Sequence, residues 1–308
     1  VNTATHPFFS IIIPTYNRAD LLPKAINSVI AQSYTDWELI IVDDGSKDNT
    51  REVVAAYKDP RVKYIYQNNA ERSAARNNGI ANATATYLCF LDSDDYYLPE
   101  RLSRLYSALQ QKNFPIAAFY TGLQVLQGEK LLQREEQIKS NNIFDHLALS
   151  TIHSQQVCIH NSILKQFNYN KAFHIGEDME LWLRIADKYP FEYMPGQYTI
   201  VVVDHDNRSV NVKRYNSYPD QLRMLNHVFA VNHPGHKITQ QVKNQLKSNC
   251  YFGIAKYYIY TQKRTQAMLH VIKAIFTDWG HFQTKYRINI LLQLCKPHGL
   301  AKATALLG

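Results

Sequence analysis

The sequence predicts an α/β fold: a mostly parallel sheet flanked by helices, followed by a mainly helical region. Three observations carry that expectation. Short, almost wholly apolar runs alternate with segments whose apolar residues recur at helical spacing, the pattern of strands covered on both faces. The connections are short, as crossover units require. Each run also ends on polar residues: Thr15 and Tyr16, Asp43 and Asp44, Asn68 and Asn69, then Asp92 to Asp95. Ligands bind at the carboxyl ends of strands in open α/β sheets, so four such ends predict one composite pocket.

Phe8–Pro14 reads as the first strand. Leu21, Leu22, Ala25, Ile26, Val29 and Ile30 then mark a helix, with Pro23 in the first turn where its missing N–H costs little. Glu38–Val42 is a second strand, and Asp48-Asn49-Thr50 offers caps for a helix through Val53, Val54 and Tyr57. Val62–Tyr66 gives a third strand, Arg72–Ala83 a helix, and the run ending at Asp92 a fourth strand. Pro99-Glu100-Arg101-Leu102 opens another helix, and Ile116–Tyr120 is another strand. From about Gln124 to Asn170 the pattern is weak, with a hairpin or loop at Gln127-Gly128-Glu129. Leu181, Trp182, Ile185, Ala186 and Tyr189 then share one helix face, and Tyr198–Val203 is a β-branched run before Asp204-His205-Asp206. The expected division is residues 1–210, with halves of about 8–120 and 121–210, and a helical region over 211–308.

A chain of 308 residues can bury a sizeable core and carry a second lobe. Cys89, Cys158, Cys250 and Cys295 are scattered without a CxxC pair, which argues for reduced thiols rather than a disulfide frame. The first seven residues lack the basic start and apolar run of a signal peptide, and no run reaches the roughly 18 apolar residues of a membrane span. The expectation is a cytoplasmic protein, free or peripheral on the inner face of the cell membrane. The net charge of +8 is uneven. From Val210 onward there are 14 Lys and Arg against Asp220 and Asp278, leaving the rest of the chain net negative. Such a basic, aromatic-rich end suits an anionic membrane surface. A solvated helical face, a subdomain packed on the sheet or a homodimer contact would give the same composition. No nucleic-acid motif is present, and nucleic acid is not expected as a partner.

Tyr87 to Asp95 carries the sharpest chemical signal: an apolar strand runs into three carboxylates. Residues i and i+2 of an extended segment point the same way, so Asp92 and Asp94 can face one ligand while Ser93 turns aside. Crowded carboxylates repel unless a cation sits among them, and hard oxygen ligands suit Mg²⁺ or Mn²⁺. A helix cap before Pro99 accounts for Asp95.

FSIIIPTYNR, WELIIVDDGSKDNT, ERSAARNNGI, YLCFLDSDDYYLPERL and GEDMELWLRIA occur in that order over about Phe8 to Arg208. The ordered set resembles the inverting glycosyltransferases of family 2, which have a GT-A type, Rossmann-like fold. The resemblance implies transfer of a sugar from a nucleotide-sugar donor, with UDP favoured, to a saccharide or lipid-linked acceptor. It also implies Mn²⁺ or Mg²⁺ and a place in bacterial surface polysaccharide synthesis.

Carried over residue by residue, Pro14, Thr15, Tyr16 and Asn17 fall on the donor, with Tyr16 stacking on the base, a contact worth ~1–3 kcal/mol by analogy. Asp44 matches the acceptor of the base N–H, and one of Asp43 and Asp44 serves only the turn. Arg72 falls near the donor diphosphate, whose oxygens a planar guanidinium can bond in pairs. Arg76, one turn on, shares that face and equally fits a surface ion pair. Asp92 and Ser93 belong to the donor site as well, and Asp94 is the implied metal ligand, joined by Asp92 and His205. Glu177-Asp178 opens a helix, and the resemblance makes Asp178 the base, with Glu177, Trp182 and His153 on the acceptor side. Each has a plainer reading: helix caps for the acidic pair, a core indole for Trp182, satisfied structural histidines for His153 and His160. Two other classes compete, a nucleotidyltransferase of similar fold and a catalytically silent glycan- or lipid-binding module. A response-regulator receiver would place its acidic pair after its first strand, whereas a full strand-helix unit precedes Asp43 here.

Overall fold

The computed structural model describes residues 6–134, 139–203, 217–280, 283–296 and 299–307. Two compact units divide the chain, Val1–Asp204 and His205–Gly308.

In the first unit, β1 (Phe9–Thr15), β2 (Trp37–Asp43), β3 (Val62–Tyr66) and β4 (Tyr87–Phe90) run parallel in the order β3-β2-β1-β4. Helices α1 (Leu22–Ile30), α2 (Thr50–Ala55) and α3 (Glu71–Asn82) make the crossovers. Every residue of β1, β2 and β4 is buried, as their unbroken apolar runs require. Leu22, Ala25, Ile26 and Val29 of α1 pack into the same core as Ile11, Ile13, Leu39 and Ile41. Helix α3 lies close on β1, because Gly79 leaves room for Ile12: a Cβ at 79 would collide with Ile12 Cγ2.

Beyond β4 the sheet departs from the expected, mostly parallel arrangement. A short β5 (Tyr96–Tyr97) and α4 (Arg101–Gln111) lead to β6 (Ala118–Gln127), which turns back through Gly128 into β7 (Lys130–Arg134). Helix α5 (Ile143–Leu149) precedes β8 (Val157–His160), which inserts between β4 and β6 antiparallel to both. The hairpin reverses the chain, so β8 returns against its neighbours. After α6 (Asn161–Leu164) and α7 (Glu177–Ala186), β9 (Phe191–Val203) runs parallel to β6 and antiparallel to β5. Strands β6 and β9 both exceed the lengths expected from sequence. The Pro195-Gly196 interruption hides the first part of β9, and the pairing shifts register there.

The second unit contains α8 (Tyr218–Val228), α9 (Gln240–Tyr260), α10 (Arg264–Thr277), α11 (Thr284–Leu294) and α12 (Gly299–Leu306). Its core joins Ala255 and Ile259 to Ala267, Val271, Ala274 and Ile275, with Ile290, Leu294 and Ala303. Among the described residues no helix is long and apolar enough to cross a membrane.

Candidate active site

Parallel register sets Thr15 beside Asp43 and Asp43 beside Tyr66, so the strand ends converge. They wall a cavity of about 530 Å³, lined by Pro14, Thr15, Tyr16, Asp44, Asn69, Arg72, Arg76, Asp92, Ser93 and Asp94 among others. The composite pocket expected from the polar strand ends is therefore present. Arg18 and Glu71 also line it. Glu71 holds a left-handed φ of 72°, a conformation uncommon outside glycine.

Tyr16 remains 43% exposed, leaving ring surface for a ligand. The buried Thr15 hydroxyl has no hydrogen-bond partner among the described residues. The two aspartates at the end of β2 divide their work. Asp43 closes the turn, accepting from Ser46 N–H at 2.8 Å and from the Tyr64 hydroxyl at 2.6 Å. Asp44 lines the cavity, its Oδ1 accepting from Gln67 Nε2 at 2.6 Å and Ala70 N–H at 2.9 Å. Both of these bonds fall on Oδ1. Asn17, expected on the donor, is exposed just beyond the end of β1. Its Oδ1 accepts from Lys47 N–H at 2.7 Å and its own N–H donates to Ser46 Oγ, which pins two strand-end loops together.

Arg76 is the surprise of the site. Expected equally as a surface residue, it is 3% exposed and touches three carboxylates. Nη2 meets Asp92 Oδ1 at 3.0 Å, while Nη1 meets Glu177 Oε1 at 3.2 Å and Asp178 Oδ1 at 3.5 Å. Arg72, on the same face of α3, stands 3.9 Å from Glu177 with its side chain largely exposed. Burial works against the Arg76 charge, but Asp178, Asp92 and Glu177 hold its pKa well above the usual value. Burial likewise opposes ionisation of Asp92, and Arg76 more than offsets it, so the Asp92 carboxyl lies below the usual range. Glu177 goes the other way: burial, then the Asp178 charge, push it up despite Arg76 and Arg72.

Helix α7 begins at this cluster because Gly176, at φ 74°, turns the chain just before Glu177. Asp178 is gripped from the other side by Ser154, whose Oγ donates to Oδ1 at 2.5 Å and whose N–H donates to Oδ2 at 3.1 Å. The Ser154 and Tyr169 hydroxyls share a 2.8 Å bond in the core. Neither residue was anticipated, since both fall in the weakly patterned 124–170 stretch and meet Asp178 only through tertiary structure.

Asp94 and Ser93 line the cavity beside Asp92. Asp95 does not cap a helix. It is buried, accepting from Gln155 Nε2 at 2.8 Å and Val202 N–H at 2.9 Å, and so fastens the end of β4 to β9. His153 shares a capping box with Gln156, and its charged form helps lower the Asp92 pKa. His160 caps α6 through Ser162 N–H. Trp182 faces the core rather than the acceptor side: it is 1% exposed, its Nε1 donates to Ile152 O, and Tyr169 and Phe191 pack against it. His205 lies outside the described residues.

The profile of glycosyl transferase family 2 matches residues 10–170, just over half of the chain and all of the cavity wall. The chain belongs to this family. It is 30% identical over 180 residues to the UDP-Glc:alpha-D-GlcNAc-diphosphoundecaprenol beta-1,3-glucosyltransferase WfgD of Escherichia coli, covering 57% of this chain and 68% of that one. Against two rickettsial glycosyltransferases it spans only 30% of the relative's length. Among solved structures, S. aureus TarS 1-349 in complex with UDP-GlcNAc superposes with a TM-score of 0.64 at 17% identity, over 96% of this chain and 88% of that one. The mannosyltransferase PcManGT of Pyrobaculum calidifontis, in complex with GDP-Man and Mn²⁺, gives 0.60 at 16% identity, over 98% and 84%. The fold is thus GT-A.

Proposed function

We propose that the chain transfers a sugar, with inversion, from a nucleotide-sugar to an acceptor hydroxyl. A UDP-hexose or UDP-N-acetylhexosamine is the favoured donor, and a lipid-linked or saccharide acceptor of bacterial surface polysaccharide is the favoured recipient. One observation carries the reading: Arg76 ties Asp92, in the wall of a nucleotide-sized cavity, to the Glu177-Asp178 pair at the start of α7. Donor pocket and acidic pair therefore meet at one place.

Tyr16 stacks on the base, and Asp44 Oδ2 accepts its N–H. Arg72 faces the diphosphate. Asp178 draws the proton from the acceptor hydroxyl, whose oxygen attacks the anomeric carbon as the bond to the diphosphate breaks. Ser154 fixes both Asp178 oxygens, which aims the carboxylate and restrains its rotation. Glu177 supports α7 beside Arg76. The carboxylates of Asp94 and Asp92 form a hard-oxygen donor set on the cavity wall, which fits Mg²⁺ or Mn²⁺. Such an ion supplies Lewis-acid neutralisation of the departing diphosphate. The names of WfgD and TarS support a UDP-sugar, and the Mn²⁺ of PcManGT supports a divalent ion.

The test is Asp178→Asn. Loss of the base should lower turnover about 10²- to 10⁴-fold. The rise in melting temperature on adding a nucleoside diphosphate with Mn²⁺ should be unchanged. Near-normal transfer by the variant would overturn the assignment, and release of pyrophosphate instead of nucleoside diphosphate would point to nucleotidyl transfer.

A further inference from the structure

Helix α10 is apolar on two opposite sides. Ala267, Val271, Ala274 and Ile275 face inward, packed in the core of the second unit. Leu269, Ile272 and Phe276 stand at i, i+3 and i+7 on the other side, all exposed, and Trp279 follows just beyond the helix. Phe276 is 76% exposed and Trp279 64%, and their rings lie 6.1 Å apart. A helix apolar on both faces is one whose outer face meets something other than water. Lys263 and Lys273, both exposed, flank the stripe, and the chain from Val210 onward carries 14 Lys and Arg against two acidic residues.

We propose that this face docks on an anionic lipid bilayer, with Phe276 and Trp279 entering the headgroup region. Aromatic and aliphatic groups at the centre with lysines around them match the interface of such a bilayer. A second copy of the chain would bring like charges together around the stripe, which disfavours self-association. Nucleic acid calls for cations along the centre of the surface, where this face has Leu269 and Ile272. The inference rests on the second unit alone; a lipid-linked acceptor, as proposed above, would give the docking a purpose.

The three tryptophans make a clean experiment. Trp37 and Trp182 are 2% and 1% exposed, so a change in emission on adding vesicles reports Trp279. With the full chain, vesicles of phosphatidylcholine doped with phosphatidylglycerol should shift the emission to the blue, and bromine-labelled acyl chains should quench it. Pure phosphatidylcholine should do so far less, and added salt should weaken the effect. In co-sedimentation, Phe276→Ser should lower the apparent affinity on the order of tenfold. Lys273→Glu should lower it by a smaller factor, and both variants should keep the parent's far-UV spectrum and melting temperature. Absence of any emission change with anionic vesicles overturns the proposal. So does vesicle binding that Phe276→Ser leaves intact, or a dimer that this variant turns into monomer while neither protein binds vesicles. The readout needs neither donor nor acceptor. Failure here therefore leaves sugar transfer standing, and failure of the Asp178→Asn test leaves docking standing.

Discussion

Arg76 and Arg287, one in each unit, are both buried but are met by very different partners. Arg76 in the first unit is met by three carboxylates on two separate segments. Arg287 in the second is fully buried and, among the described residues, donates to the neutral Ser248 Oγ and Asn249 Oδ1. Burial pushes its pKa down to about 10 against an opposing pull from Asp278. Charge around Arg76 is concentrated and paired, whereas Arg101, also fully buried in the first unit, donates to the neutral Thr121 hydroxyl. In the second unit charge is nearly all of one sign, and Arg287 serves as a cross-link between α9 and α11.

Substitutions at the two positions should differ sharply. Arg76→Ala leaves Asp92, Glu177 and Asp178 crowded without a counter-charge, and stability should fall by about 3–5 kcal/mol, read by urea unfolding. Loss below 1 kcal/mol would break the comparison. Ser154→Ala keeps the ion pairs but removes a hydrogen bond to a charged group. It should cost about 1.5–3 kcal/mol by urea unfolding and lower turnover, because Asp178 loses the hydroxyl that aims its carboxylate.

Glu177 sharpens the point through pH. Its folded pKa lies above 4.5, so the folded chain binds more protons than the unfolded one above that pH. Stability should therefore fall as pH rises from about 4.5 through the raised value. Asp92 acts in reverse: its contribution is present above the ordinary carboxylate range and is lost as pH falls through its lowered value. Glu177→Gln should flatten the first of these slopes and leave the second, as urea midpoints measured from about pH 2 to 7 would reveal. Arg287→Met gives the smallest effect. Replacing this buried charge with an apolar chain of similar length should change stability by less than about 1 kcal/mol in either direction.

Much of the first unit could be read directly from the residues. The apolar runs of β1, β2 and β4 and the polar ends after them announce buried parallel strands and a pocket, because burial on both faces leaves no room for alternation. Pro14, Thr15, Tyr16, Asp44, Arg72, Asp92 and Asp94 were found that way or through the family's ordered motifs, and all line one cavity. Antiparallel β8 was not legible, since four residues of apolar sequence do not state their direction. Arg76 was seen but underrated, because sequence gives the face of a helix and not what stands opposite. Ser154, Tyr169 and the true work of Asp95 depend on contacts across long stretches of chain. Residue type suggested a ligand contact for Trp182, while the packed core holds its ring and Ile152 O takes its N–H.

One missing methyl group has wide reach. At Gly79 the backbone of α3 comes down onto Ile12, and the same helix carries Arg72 and Arg76 on the face that looks toward Glu177. Any larger residue there would lift the rod from the sheet and draw both guanidinium groups away from the acids they serve. The spacing between cation and carboxylate, on which the chemistry turns, is thus set a turn away by an atom that is not there.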